Sequence, residues 1–132
     1  MATGNDPTTI PSYEVLEGTT PQLTAVLKDE NGDPVDVADI DAATLTLFVP
    51  ESGTIVNSRN KQDIKNTNNV TIDASGNLTW DIQPDDLEII DTSDAENNRE
   101  IHRALFEYEF DGNARFGAKQ VDLVVHNLQK VP

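Results

Sequence analysis

The sequence predicts an all-β protein, an immunoglobulin-like antiparallel β-sandwich of seven or eight strands with one short helix. Three observations predict it. Apolar and polar residues alternate in short runs, clearest at Leu23, Ala25, Leu27 and at Leu45, Leu47, Val49, the period-two pattern of a strand with one buried face. Turn-forming residues punctuate the runs at Asn31-Gly32-Asp33-Pro34, Ala74-Ser75-Gly76-Asn77 and Asp111-Gly112-Asn113-Ala114, where Gly, Asn, Asp and Pro mark chain reversal. Strands buried on one face and joined by hairpins pair antiparallel, and two such sheets bury their apolar faces against each other.

The elements follow in order. Residues 1–12 are polar, carry Pro7 and Pro11 and show no periodicity, so they read as an extended arm that orders only against another surface. The sandwich spans 13–127, and 128–132 is a short tail. Tyr13–Leu16 is a short first strand with Tyr13 and Val15 on one face. Gln22–Lys28 is the second. Val35, Val37 and Ile40 cap the core edge, and Ala43–Val49 forms the next strand. A short strand at Thr54–Asn57 precedes the polar segment 58–69. Val70–Ile72 and Leu78–Ile82 form a hairpin around Ser75-Gly76-Asn77, with Trp80 at the centre of the core. Pro84–Ile90 is the helical candidate, with proline at its start and Asp85 and Asp86 in its first turn. Ile101–Phe110 and Arg115–His126 make the longest hairpin. Ala104, Phe106, Tyr108 and Phe110 share one face, and Val121, Leu123 and Val125 answer them. Arg115 and Lys119 are expected to meet Glu107 and Glu109 across this pair.

Length and composition bound the function. A chain of 132 residues buries roughly two-thirds of its unfolded surface as one domain, and with no cysteine it has neither disulfide nor thiolate metal site. The first residues lack a basic region and an apolar run, so no cleaved leader is expected. No apolar run approaches the ~18 residues of a membrane span. Nine basic residues against 24 acidic ones give a net charge of −15, which disfavours nucleic acid and anionic lipid surfaces as partners. The acidity fits simple solubility, and the alternative is a high-salt host in which acidic self-repulsion is screened.

Candidate chemistry is sparse. Asp29-Glu30-Asn31-Gly32-Asp33 offers alternating oxygen ligands, yet a calcium loop needs glycine sixth and glutamate twelfth, and Pro34 and Ile40 stand there. It is read as a turn. Asp85 and Asp86 complement a helix start, and Asp91, Asp94 and Glu96 are solvated loop acids. His102 and His126 have no third ligand and are structural or surface residues. Asn69-Val70-Thr71 and Asn77-Leu78-Thr79 match the glycosylation sequon, but no leader supports its use. No nucleophile motif, phosphate loop or dinucleotide fingerprint occurs. The expectation is a non-enzyme with no catalytic residue, cofactor or metal.

One segment stands apart: 58–69 holds Arg59, Lys61 and Lys65, three of the nine basic residues in an otherwise acidic chain. It is either a plain surface connection or a dock for an acidic partner. With Pro7, Ile10 and Pro11 of the arm, these are the candidate partner-contact residues.

The run Pro21-Gln22-Leu23 through Lys28-Asp29, Gly32, Pro34-Val35-Asp36 and Ala43-Thr44-Leu45, with the late Tyr108-Glu109-Phe110-Asp111-Gly112, resembles small proteins of tailed viruses. These carry a P-x-L-x-x-x-L-x-D-x-x-G-x-P-V-D segment, an A-T-L-x-L strand and a Y-x-F-D-G hairpin. The resemblance covers most of residues 19–126. It implies an immunoglobulin-like virion module of the baseplate, tail or capsid surface, partnered by other virion structural proteins and by copies of itself. Such a protein is made in the host cytoplasm and resides in the particle. The alternative is an adhesion or surface-binding module of a cellular protein, which predicts tandem domains or an anchor.

Overall fold

The computed structural model describes residues 10–91, 99–112 and 114–127. Eight strands run in chain order: β1 (Ser12–Leu16), β2 (Gln22–Val26), β3 (Ile40–Phe48), β4 (Gln62–Asp63), β5 (Val70–Ile72), β6 (Asn77–Asp81), β7 (Arg99–Phe110) and β8 (Arg115–His126). Five form one sheet in the order β1-β8-β7-β3-β4, and three form a second in the order β2-β6-β5. The sheets close on a shared core where fully buried Trp80 of β6 meets Phe106 of β7 edge to face, ring centroids 5.9 Å apart. The protein is therefore an all-β sandwich, as the alternation requires.

Three expectations are corrected. β1 runs parallel to β8, Tyr13 beside Leu123 and Val15 beside Val125, so the large sheet is mixed rather than purely antiparallel. The linker Glu17–Pro21 carries the chain from β1 in one sheet to β2 in the other, which frees β1 from a hairpin constraint. Second, Thr54–Asn57 is no strand. It makes one bridge, Phe48 to Ile55, and then turns away through Asn57 and Ser58, whose φ angles are 52° and 56°. Gln62 and Asp63 pair with Leu45 and Thr44 of β3 in its place. Third, the helical candidate is a single 3-10 turn at Pro84–Leu87. Too few residues are available there to offset helix nucleation, and burying Leu87 and Ile89 sets the path instead. No helix among the described residues is long and apolar enough to cross a membrane.

Arg115 also differs from expectation. In the hairpin register it lies opposite Phe110, while Glu107 and Glu109 oppose Ala118 and Phe116. Alternation therefore puts Arg115 and Lys119 on the other face from the two glutamates. The Arg115 guanidinium stacks 4.8 Å from the Phe110 ring centroid and pairs with Asp111 at 2.6 Å and with Glu30.

That arginine closes a corner in which distant segments lock. The Asp29 carboxylate accepts from the backbone N–H of Asn31 and of Asp33, at 2.9 and 3.0 Å, and Gly32 holds φ +83°, so 29–33 is a side-chain-braced turn. The Tyr108 hydroxyl donates to the Lys28 carbonyl at 2.6 Å and accepts from the Lys28 N–H at 3.2 Å. Burial pushes its phenol above the ordinary 10.0, against the opposing pull of the Lys28 hydrogen bond. The Tyr108 ring lies over Gly117, where an added Cβ would fall 2.4 Å from it. On the other side, Gly76 holds φ +74°, and a Cβ there would meet the Leu27 carbonyl at 2.8 Å and the Val35 carbonyl at 2.9 Å.

Gly117→Ala is expected to destabilise by about 1–3 kcal/mol, because the Tyr108 ring must leave its place. Gly76→Ala combines a left-handed backbone with a clash against backbone, and about 2–4 kcal/mol is expected. Urea unfolding followed by circular dichroism measures both. The corner also sets a pH response. The Asp33 N–H and Arg115 hold the Asp29 carboxyl below its ordinary 3.8, and the Arg115 hydrogen bond lowers Glu30 below 4.5. Depressed carboxyls stabilise the fold fully above their unfolded values, and that contribution is lost as pH falls through the folded ones. Melting temperature should therefore fall less steeply on acidification below about pH 4 in Arg115→Gln than in the wild type, and equal slopes would contradict the assignment.

Candidate functional site

The six residues singled out from sequence separate into four groups. Pro7 lies outside the described residues. Ile10 is half-buried, and exposed Pro11 already belongs to the sandwich, its carbonyl accepting from the Asp122 N–H at 2.8 Å. Ser12 opens β1, so the arm ends earlier than its composition suggests. Lys61 and Lys65 are exposed. The Lys61 N–H donates to Thr46 Oγ1 at 3.0 Å and Lys65 Nζ donates to the Ile40 carbonyl, which pins the segment to β3.

Arg59 is not at the surface. It is 2% exposed and lies against the Trp80 ring, 5.7 Å from its centroid. Its Nε donates to Asp86 Oδ1 at 2.5 Å and its Nη2 to Asp86 Oδ2 at 3.2 Å. Nη1 reaches Gln62 Oε1 at 2.7 Å and the Asn68 carbonyl at 3.1 Å, and Nη2 reaches Asn69 Oδ1 at 2.9 Å. The fork geometry of guanidinium makes this possible, since five donors on one plane address several acceptors at once. Expecting Arg59 to face a partner is thus corrected: its charge is neutralised inside the fold.

Asp86 is equally buried and equally engaged. Asn57 Nδ2 donates to its Oδ1 at 2.9 Å and the Gln83 N–H to its Oδ2 at 2.8 Å. Its backbone carbonyl takes a hydrogen bond at 2.8 Å from Nδ1 of buried His102. A carbonyl has no proton to give, so Nδ1 carries the hydrogen. The other ring nitrogen sits 2.7 Å from Glu100 Oε1. Glu100 further accepts from the Ile90 and Asp91 N–H groups at 2.8 and 2.9 Å. The chain Arg59–Asp86–His102–Glu100 therefore crosses from the loop before β4 to the start of β7.

Every carboxylate oxygen and ring nitrogen of this chain has a protein partner, which fits a structural role. A hollow of about 640 Å³ lies beside its Glu100 end, lined by Val49, Ile90 and Ile101 among others, but the two Glu100 oxygens are already held. No group of three or more His, Asp or Glu is placed to hold a metal among the described residues. Asp29, Glu30 and Asp111 converge on Arg115 instead. The two sequon asparagines are also engaged, Asn69 by Arg59 and Asn77 by Asp73.

The buried chain had one legible sign. Glu100 and His102 continue the inward-facing series of Ala104, Phe106 and Tyr108 at a period of two. The Arg59–Asp86 pairing joins residues remote in sequence, and no local pattern announces it.

No family model matches the chain, and no curated protein matches it. Its function is read from its own residues.

Four of the five large apolar side chains exposed among the described residues lie on the five-stranded sheet. Phe116 of β8 is 63% exposed. It borders a shallow depression of about 150 Å³ with Ala42, Thr44, Lys61, Glu107 and Glu109. Ile101 is exposed further along the sheet, and Tyr13 and Leu16 are exposed at the β1 edge.

The network and the exposed lysines predict opposite mutational behaviour. Arg59→Ala and Asp86→Ala are each expected to destabilise by about 3–5 kcal/mol, because each leaves a buried charge unpaired, and the double variant by well under the sum. Lys61→Ala should stay within about 0.5 kcal/mol. Denaturant midpoints of the four variants check this, and additive single effects would contradict it.

Proposed function

We propose that this chain is a non-enzymatic structural module of a tailed-virus particle, carried on the baseplate, tail or capsid surface and held there by protein–protein contacts. One observation supports it most. The separate pieces of the tailed-virus pattern lie together in this fold. Tyr108 of the Y-x-F-D-G hairpin bonds Lys28 in the P-x-L segment, Arg115 joins Asp111 to Glu30, and the Asp111 N–H reaches the Asp39 carbonyl at 3.0 Å. The segments that carry the pattern thus meet in this fold, and the virion reading rests on their resemblance to virion modules.

The remaining features agree with assembly. Arg59, Asp86, His102 and Glu100 are engaged with one another inside the fold, while Phe116, Ile101, Tyr13 and Leu16 stay accessible. Exposed aromatic and aliphatic side chains on a sheet face suit packing against neighbouring subunits. Lys61 and Lys65 supply basic points for acidic neighbours, including copies of the same chain, and residues 1–9 precede the sandwich as the arm.

Two measurements test the reading. A gold-labelled antibody against the chain should mark purified particles at symmetry-related positions. Label on a cell surface instead would select the adhesion alternative. A variant lacking residues 1–9 keeps all of β1 and should fold with wild-type circular dichroism, yet be missing from purified particles. Wild-type incorporation of that variant would refute the role of the arm.

A further inference from the structure

The large sheet ends on an open edge at β1. In its parallel ladder with β8, the Pro11 carbonyl accepts from Asp122 and the Glu17 N–H donates to the His126 carbonyl at 2.9 Å. Alternate residues of a strand address one neighbour, so Pro11, Tyr13, Val15 and Glu17 face β8, while Ser12, Glu14 and Leu16 turn their backbone groups outward. Among the described residues no strand lies beyond β1. Among the described residues, the outward group that has a partner is the Leu16 carbonyl, taken by the Thr19 N–H and hydroxyl.

The usual protections of an edge are weak here. Natural sheets blunt their edges with proline, inward charges, bulges or lysine. β1 is protected by its short length and the charge of Glu14 but has none of these between Ser12 and Leu16, and it exposes Tyr13 at 46% and Leu16 at 49%. A groove of about 390 Å³ opens beside it, lined by Glu14, Val15, Leu16, Thr19, Pro21 and His126. A free ladder edge supplies main-chain hydrogen bonds, and a side pocket takes alternate side chains of an added strand.

We infer that β1 is a strand-addition site for an extended segment of a different protein, apolar at its centre and basic at its flanks. Charge selects the occupant. Glu14 borders the groove, with His126 bonded to it as the local counterweight, and the whole chain carries −15. A second copy adding antiparallel about a two-fold axis would bring Glu14 toward its own copy, and like charges facing across a strand pair are destabilising. A basic-flanked strand meets complementary charge. The inference stands on the edge and the groove and does not rest on the virion reading, since copies of this chain can meet through other faces.

The test uses the full chain, isotope-labelled, with two synthetic peptides of alternating valine and threonine, one flanked by lysines and one by glutamates. The lysine peptide should bind with amide shifts centred on Ser12, Glu14 and Leu16. The glutamate peptide should bind at least about tenfold more weakly. Leu16→Asp, at an exposed position lining the groove, should abolish binding with circular dichroism unchanged. Glu14→Pro, which removes an outward donor, is the second variant. Absence of binding, equal binding of both peptides, shifts centred elsewhere, or a dimer of the free chain that buries β1 would each overturn the inference.

Discussion

A buried ion pair organises this sandwich. Removing a guanidinium and a carboxylate from water costs several kcal/mol per ion, and only excellent geometry with further hydrogen bonds offsets it. Arg59 and Asp86 meet that demand by drawing in Asn57, Gln62, Asn68, Asn69 and Gln83. The consequence is topological. The loop between β3 and β5 and the turn after β6 cannot move apart without uncovering both charges. The Asp86 carbonyl passes the constraint to His102 and thus to β7, the central strand of the large sheet. Trp80 lies beneath the guanidinium, so the same contact seals the apolar core.

This arrangement explains how a chain with few basic residues can fold under its own negative charge. The basic groups are not spread evenly for surface compensation. Arg59 is internal, Arg103 holds Asp122 through two hydrogen bonds at 2.8 and 3.1 Å, and Arg115 gathers Asp29, Glu30 and Asp111. Arg59 and Arg115 tie together segments that are far apart in sequence, and Arg103 joins the two strands of the β7–β8 hairpin. Forked guanidinium suits such multi-acceptor junctions.

Much of the fold was legible in local pattern. Alternation placed β8 at Arg115–His126 and put Phe106, Tyr108 and Trp80 in the core, and Asn31–Pro34 read correctly as a turn because the Asp29 side chain braces it. Local pattern stops where tertiary pairing decides. The parallel partner of β1 depends on where its linker delivers the chain, and β4 is two residues long with no periodicity to show. Pro84 and the acids behind it suggested a helix, yet Asp86 faces inward to Arg59, a choice made by a residue remote in sequence. The same distance hid the fate of Arg59, which sits in a polar stretch indistinguishable by composition from a solvated loop. Of the candidate contact surface, the lysines were visible in sequence. Phe116 and the open edge of β1 were not, since exposure of one strand depends on which others cover it.

The structural claim and the assembly reading meet at the network, because a rigid scaffold is what lets exposed residues present a fixed surface. Native-state hydrogen exchange on Asp86→Asn tests it most directly. Asparagine keeps the volume but removes the charge, and the account predicts that amides anchored around the pair, those of Leu47, Val56, Ile64 and Val70, lose protection together while the central amides of β7 and β8 keep theirs. Uniform loss across both sheets, or unchanged protection around Arg59, would contradict the claim that this ion pair holds the loop and the turn to the sandwich.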